Sequence, residues 1–373
     1  MDQPGLYIHV PFCRSKCPYC DFYSLANTSL MRDWLDAVIS EMGIYKGCFK
    51  TFNTLYLGGG TPSFLPGPHL EALVTQVRGH FAFAPDAEMS IETNPRDLTA
   101  EEAALLKTLG FNRINVGVQS FHDDELCFLG RQHNAKDAIA AVSRLRDAGF
   151  DNVGLDLIYG LPGQDMERWL DTLEKGLSFE PEHLSCYQLT IEKGTVFGRR
   201  KEEGDLDPIG EDVEREFFLT TSEFLTGRGY CHYEISNFAR DTKHTCLHNE
   251  KYWRRTPYLG LGPAAHSFQE GRRWWNVRSV RGYCEALRND RAPVEGEETL
   301  SPAQAHLESV ALGLRTRRGF DSSEIVNQME RKKLDELESR GFLHRDGNRV
   351  VPTREGFLVA EQIPLYLCEE GRL

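Results

Sequence analysis

The chain lacks the features that would send it to a membrane, a secretory route or a nucleic acid. None of its 373 residues fall in an apolar run of about eighteen, the length a spanning helix needs, so no transmembrane segment is expected. The amino terminus, MDQPGLYIHVPFC, has neither a basic stretch leading into a long apolar one nor an excess of arginine. No secretory signal or transit peptide is expected, and the compartment is read as cytoplasmic. Lys and Arg number 43 against 56 Asp and Glu, a net charge of −13. Backbone phosphates are bound by clustered cations, so no nucleic acid is expected as a partner. The P-loop, the Ser-His-Asp order and the His-Glu-x-x-His motif are missing. So are solenoid-length repeats and low-complexity segments.

Paired cysteine spacing is also absent. There are ten cysteines, but three crowd one short segment and the rest are scattered singly. Secreted disulfide frameworks favour short chains with dense pairing. Reduced thiols, three of them metal ligands, is the better reading.

What is present is an alternation of short apolar runs with helical patterns. The runs are Leu6–Val10, Thr54–Gly58, Met89–Thr93, Arg113–Val118, Val153–Tyr159 and Leu184–Thr190. Between them Leu30–Ile44, His69–His80, Thr99–Leu109, Ala135–Ala148 and Met166–Leu177 space apolar residues by three and four. Gly110 and Gly149 stand where helices should stop. Six strand–helix repeats predict a parallel sheet with right-handed crossovers, an α/β partial (β/α)6 barrel. Ligands of such sheets gather at the carboxyl ends of the strands, where Cys13, Gly58–Thr61, Glu92 and Gln119 fall, with Asp156 in the fifth strand. Glu192–Pro208 reads as a linker or lid. The expected organisation is a barrel over 1–195, an accessory region over 196–300, and an α+β extension over 301–373. In the last, helices His306–Leu314 and Ser323–Arg340, a hairpin turning at Asp346–Gly347 and a helix Arg354–Ile363 resemble a winged helix, read as a packing or partner surface.

The most specific signal is CRSKCPYC: Cys13, Cys17 and Cys20 on one loop after a strand. Thiolates bind iron strongly, and three of them on a four-iron cubane leave one iron open. That corner can be chelated by the amino and carboxylate groups of S-adenosylmethionine, whose sulfonium is then cleaved by one electron to a 5′-deoxyadenosyl radical. The competing reading is structural zinc, which needs a fourth protein ligand such as His9 or a distant Cys or His.

The cysteine spacing, with Tyr19 before the last Cys, resembles the radical-SAM superfamily. LGGGTP (Leu57–Pro62), SIETNP (Ser90–Pro95), GVQS (Gly117–Ser120), GRQH (Gly130–His133) and DLIYGLPGQ (Asp156–Gln164) are similar to its anaerobic coproporphyrinogen oxidase-like branch. Within that branch the chain looks most like the HemW-type haem chaperones. Cys20 is followed by Asp21 and Phe22 rather than by a further Cys-x-Cys, and CLHNEKYW (Cys246–Trp253) contains the His-Asn-x-x-Tyr-Trp signature. The coproporphyrinogen dehydrogenases carry an extension before their first strand, whereas twelve residues precede Cys13 here.

The resemblance implies a 4Fe–4S cluster on Cys13, Cys17 and Cys20. It implies S-adenosylmethionine on Tyr7, Tyr19, Gly59, Gly60, Thr61 and Glu92, with Gln119, Arg131 and Asp156 lining a second ligand position. It makes His248 the haem-ligand candidate, with Cys246, His244 and His266 as alternatives and Tyr252, Trp253, Trp274 and Trp275 as an apolar wall. Each has a plain reading: Tyr7 as a barrel-core aromatic, Glu92 as a salt-bridge partner, Asp156 paired with Arg131, His248 as a hydrogen-bonded core histidine. The function implied is a haem chaperone passing haem to acceptor haemoproteins. The alternative is an enzyme, the oxygen-independent coproporphyrinogen III dehydrogenase. Electron donor, acceptor, covalent haem attachment and a homodimer are left open by the sequence.

Overall fold

The computed structural model describes residues 3–367. Six parallel strands lie in chain order: β1 (Gly5–Val10), β2 (Phe52–Gly59), β3 (Phe83–Thr93), β4 (Arg113–Gln119), β5 (Val153–Tyr159) and β6 (His183–Gln188). All five pairings between them are parallel, each crossing through a helix as the sequence pattern predicts. Leu6, Ile8 and Val10 of β1 and Leu55 and Leu57 of β2 belong to one core with the helices. The opposite phase of the same strands is polar or aromatic and fills the concave side: Tyr7 and His9, Thr54 and Tyr56, Glu88 and Glu92, Arg113 and Asn115. A period of two therefore sorts each strand into a helix-facing face and an interior face.

β3 begins at Phe83, six residues before the predicted run. Pro85 reads as a turn in the sequence, yet it is accommodated where the β2–β3 register shifts, the kind of irregularity that admits proline. The helix after Asn134 starts with a capping box to Asp137.

β1 and β6 do not pair with each other. Residues 196–300, expected as an accessory region, extend the same sheet at both margins with six strands: β7 (Cys231–Glu234), β8 (Asn237–Ala239), β9 (Tyr258–Leu261), β10 (His266–Gln269), β11 (Arg272–Asn276) and β12 (Val294–Thr299). β8 and β7 continue from β6, while β9 pairs parallel to β1 and leads to β10, β11 and β12. The segment Glu192–Pro208, read as a linker or lid, contains a helix at Val196–Glu202 capped by Thr195.

The last unit has its own apolar cluster around Val310, Leu314, Leu334 and Val350. It is built from helices Pro302–Leu314 and Gln328–Ser339 and a sheet of β13 (Phe320–Asp321), β14 (Leu343–Asp346) and β15 (Arg349–Pro352). The helix predicted over Ser323–Arg340 starts at Gln328, because Asn327 and Glu330 form a capping box there. The hairpin turns at Gly347–Asn348, one residue beyond the expected place, since Asp346 still pairs with Arg349 and Gly347 takes φ +58° as the first loop residue. The last predicted helix is two, Arg354–Leu358 and Gln362–Leu367. Pro364 has no N–H to continue the first but is tolerated in the opening turn of the second.

One buried carboxylate ties the sheet extension to the barrel helices. Glu41, fully buried, accepts from the Gly262 amide at 2.8 Å, Asn276 Nδ2 at 2.6 Å and Tyr283 Oη at 2.5 Å. Burial pushes its carboxyl up to about 7 despite these donors. Glu41→Ala leaves three buried donors without an acceptor and should cost about 3 kcal/mol or more, read by urea denaturation. Glu41→Gln, which keeps one acceptor oxygen, should recover part of that loss.

Candidate metal centre and its cleft

The cysteine loop is fastened at both ends by backbone. Leu25 donates to Pro11 O at 2.8 Å, Cys13 donates to Leu25 O at 3.0 Å, and Cys20 donates to Cys17 O at 3.2 Å. All three thiols are half-buried. Thr61 Oγ1 donates to Cys13 Sγ and Arg131 Nη1 to Cys17 Sγ, each at 3.5 Å. Donors of this kind favour thiolate over thiol, whereas burial alone pushes the Cys13 and Cys20 thiols up.

Among the described residues, no three His, Cys, Asp or Glu side chains converge on one metal ion. His9, the nearby candidate for a fourth zinc ligand, has both ring nitrogens engaged, Nδ1 by Tyr7 Oη at 3.0 Å and Nε2 by Tyr23 O at 2.8 Å. Three cysteines line the cleft, and His9 is not free to serve as the fourth ligand that structural zinc requires. A cubane, which takes one thiolate at each of three separate iron corners, fits such a donor set; a single tetrahedral zinc does not.

Cys13, Cys17, Cys20, Tyr19, Gly59, Gly60, Thr61 and Arg131 line one cleft, together with Ser24, Asn94 and the ion-paired Arg14 and Asp97. Its glycines are there for approach. Gly59 sits at φ +109°, and a Cβ on it would lie 2.4 Å from the His9 ring. A Cβ on Gly60 would lie 2.6 Å from Phe12 O. Bare backbone is thus forced against the cysteine loop.

Glu92, Gln119 and Asp156 stand behind this cleft at the strand ends. Glu92 accepts from the Gly59 amide at 3.1 Å and from Tyr56 Oη at 2.9 Å. Burial, and then the Asp156 charge, push its carboxyl up to about 7. Asp156 is pushed up to about 6, mainly by burial. Its Oδ1 is buried with no protein partner, as is Nε of Arg131. Arg131 donates instead to Gly117 O at 2.9 Å, and Gly117 is opposite Asp156 in the sheet. Gln119 takes φ +69° where β4 slips register, a strained turn that sets its amide beside Gly117 and Arg131. Orphaned polar atoms at the end of a glycine-lined cleft are what a bound polar ligand would satisfy. The residues present therefore fit S-adenosylmethionine.

Tyr7 lies deeper, on the interior face, stacked on Tyr56 with ring centroids 6.2 Å apart. Tyr56, which the sequence reading passed over, is the link: it bonds Glu92 above and stacks on His248 below at 5.1 Å. Period-two counting along Thr54–Gly58 places Thr54, Tyr56 and Gly58 on one face and was the available signal.

His248 belongs to the helix Leu247–Trp253, which plugs the amino-terminal end of the barrel. Glu88 caps it, accepting from the Leu247 and His248 amides, each at 3.1 Å. The imidazole is fully buried. Its Nδ1 meets Thr54 Oγ1 at 2.8 Å and its Nε2 meets Tyr252 Oη at 2.9 Å, and burial lowers its pKa to about 3. In this arrangement neither nitrogen is free to meet iron. Of the alternatives, Cys246 is buried beside Glu88, His244 is paired with Asp241 at 2.9 Å, and His266 is exposed on β10. Trp274 is buried and bonds Tyr45, Trp253 lies under Arg315, and Tyr252 and Trp275 line a second cavity.

The radical SAM superfamily model matches residues 7–176, and the HemN C-terminal domain model matches residues 300–359. The heme chaperone HemW of Escherichia coli (strain K12) is 37% identical over 383 residues, covering 98% of both chains. That of Mycobacterium tuberculosis (strain CDC 1551 / Oshkosh) is 36% identical over 368 residues, 97% of this chain and 94% of its own. Among solved structures, the coproporphyrinogen III oxidase HemN from Escherichia coli, a radical SAM enzyme, superposes with TM-score 0.84 at 25% identity, over 98% of this chain and 90% of that one. With a third or more of its residues identical to those of HemW proteins over almost its whole length, the chain belongs to the HemW family of radical SAM proteins.

Proposed function

We propose that this protein is a haem chaperone: it binds haem, keeps a 4Fe–4S cluster with S-adenosylmethionine, and hands haem to acceptor haemoproteins in the cytoplasm. The observation that carries the cofactor part is the cleft itself, in which three thiols face a glycine-edged pocket backed by unpartnered Asp156 and Arg131 atoms. The chaperone part rests on agreement with HemW proteins along almost the whole chain. No helix among the described residues is long and apolar enough to cross a membrane.

Cys13, Cys17 and Cys20 would hold the cluster, and the bound pair of cofactors would supply one-electron cleavage of a sulfonium. Gly59 and Gly60, packed against His9 and Phe12 where no side chain fits, would offer bare backbone to the ligand's methionine end. Glu92 faces the ligand's amino group or ribose, with Thr61 and Arg131 holding two of the thiolates. Gln119, Arg131 and Asp156 form the rear polar wall. Thr61 Oγ1 and Arg131 Nη1, which donate to the Cys13 and Cys17 sulfurs, would help fix the loop around the cluster.

The second reading is the coproporphyrinogen III dehydrogenase, favoured by the likeness to HemN at TM-score 0.84. Anaerobic turnover of coproporphyrinogen III to protoporphyrinogen IX by reconstituted protein would establish it against the chaperone; haem uptake with no such turnover supports the chaperone.

Cys17→Ser should abolish the cluster, measured as iron and sulfide content after reconstitution, while haem binding stays measurable by absorption. Loss of both together would mean a single shared site. Glu92 offers a pH test. Its carboxyl titrates near 7 in the empty cleft, and a cationic ligand prefers it ionised. S-adenosylmethionine affinity should therefore rise roughly tenfold from about pH 6 to 8 as that proton is released, with Asp156 adding in the same sense at the lower end. Anaerobic calorimetry across that range should show the rise, and Glu92→Gln should flatten it.

A further inference from the structure

The second cavity lies where the sheet extension meets the helix Pro302–Leu314, and it encloses about 460 Å³, within the range of ~300–1,000 Å³ usual for small-molecule sites. Its floor is built by alternation on adjacent strands. Tyr258 of β9 pairs with Phe268 of β10, and His266 of β10 pairs with Trp275 of β11. His266 and Phe268 are two apart and so share a face. The rings lie in register: Tyr258 and Phe268 are stacked at 6.1 Å, and His266 and Trp275 at 5.8 Å with planes 25° apart. A flat aromatic strip with a histidine at its rim results.

At the other side two guanidiniums flank the strip. Arg255 and Arg273 stand 5.7 Å and 5.9 Å from the Phe268 centroid. Both bind Glu308, Arg255 at 2.9 Å, and Arg273 also reaches Glu298 at 3.0 Å. With both guanidiniums matched by Glu308 and Glu298 in the same lining, what the site offers a ligand is the aromatic strip and the histidine, which suit a planar, largely apolar molecule.

The two histidines nearest this region differ in availability. His248 has both nitrogens bonded inside the barrel. His266 is exposed; its ring stacks on Trp275 and has no hydrogen bond or ion pair among the described residues. Partial burial and the Arg273 charge lower its pKa, so the ring is neutral near pH 7, the form that ligates iron.

We propose that this groove is the haem seat, in which His266 would ligate the iron and the strip Tyr258–Phe268–Trp275 would supply the apolar contact surface. The assignment rests on the chaperone reading above. It gives the His-Asn-x-x-Tyr-Trp segment a different role: Tyr252, bonded to His248 and edge-on to Tyr258 at 4.7 Å, forms the inner wall, and His248 positions Tyr252.

The test is a haemin titration of the full-length, cluster-reconstituted protein, followed by the Soret band, with His266→Ala beside wild type. His266 is exposed, so the variant should fold, which far-UV circular dichroism checks. Expected are at least tenfold weaker haemin binding, a displaced Soret maximum, and restoration of the wild-type maximum by added imidazole. Iron-free protoporphyrin IX should bind wild type and variant alike. A variant that titrates to the wild-type Soret maximum with wild-type affinity overturns the assignment and leaves the chaperone reading standing. Equal weakening for haemin and iron-free porphyrin overturns the ligand role. Wild-type protein that takes up no haemin at all overturns the chaperone reading and this inference together.

Discussion

A parallel strand offers one face to the helices that cross over it and leaves the other to be filled, and the rest of this structure follows from how the second face is filled. The helix-facing phase is mostly Leu, Ile and Val, with Met89, Tyr159 and Cys186 among them. The inner phase is polar: Tyr7, His9, Thr54, Tyr56, Glu88, Glu92, Arg113, Asn115 and Asp156. Polar groups taken from water cost free energy unless they find partners, so the interior is organised as a hydrogen-bonded column. Glu88 caps the plug helix at one end. His248 bonds Thr54 and stacks on Tyr56, and Tyr56 bonds Glu92. At the carboxyl ends the column stops with Asp156 Oδ1 and Arg131 Nε still unpartnered. Unpartnered atoms are not confined to that end, since Arg113 Nε and Nη2, Ser90 Oγ and His183 Nδ1 are also buried without a partner among the described residues; what marks the carboxyl end is the cleft that the cysteine loop and the glycines open there.

The same argument explains why the sheet does not close on itself. Six strands leave β1 and β6 with open edges, and exposed edges invite pairing with other chains. The chain covers them with its own later segments, β8 and β7 beyond β6 and β9 to β12 beyond β1. Glu41 then bolts the β1 side to the helix Met31–Ile44. The price is a buried carboxylate whose pKa is driven to about 7. What it secures is an extension rigid enough to carry an aromatic strip on its own account.

Much of this was legible in the sequence, for local reasons. Val153–Tyr159 and Met166–Leu177 begin and end where the pattern puts them, because each carries its own period and stop signals. The cysteine loop, the glycine run and Glu92 come together because they lie at or just past the carboxyl ends of β1, β2 and β3, a relation fixed by strand order, while Asp156 comes from the middle of β5 and Arg131 from the loop after the helix Asp123–Phe128. What sequence did not disclose depends on pairings between distant segments. The parallel pairing of β9 with β1 joins residues some 250 apart, and no local signal announces it. The strand character of Phe83–Glu88 was masked by Pro85, and the start of the helix at Gln328 turned on Asn327. His248 was singled out as the haem-ligand candidate, but its neighbours Thr54 and Tyr56 belong to a distant strand, so whether its nitrogens were free was not a property of the motif.

That last point bears on how two sites can occupy one chain without sharing atoms. Tyr252 has two neighbours of consequence: its hydroxyl bonds His248 within the barrel, and its ring packs edge-on against Tyr258 in the groove. His248 in turn stacks on Tyr56, which bonds Glu92 behind the cysteine cleft. A continuous run of five side chains thus spans from the rear of the cleft to the wall of the second cavity, each contact a hydrogen bond or a ring pair. An unpaired imidazole between them would leave a polar hole in a close-packed interior. A His-Asn-x-x-Tyr-Trp segment placed there does structural work for both sites, since His248 and Tyr252, four apart, lie on one face of a short helix. The spacing in the motif is the distance between the two jobs.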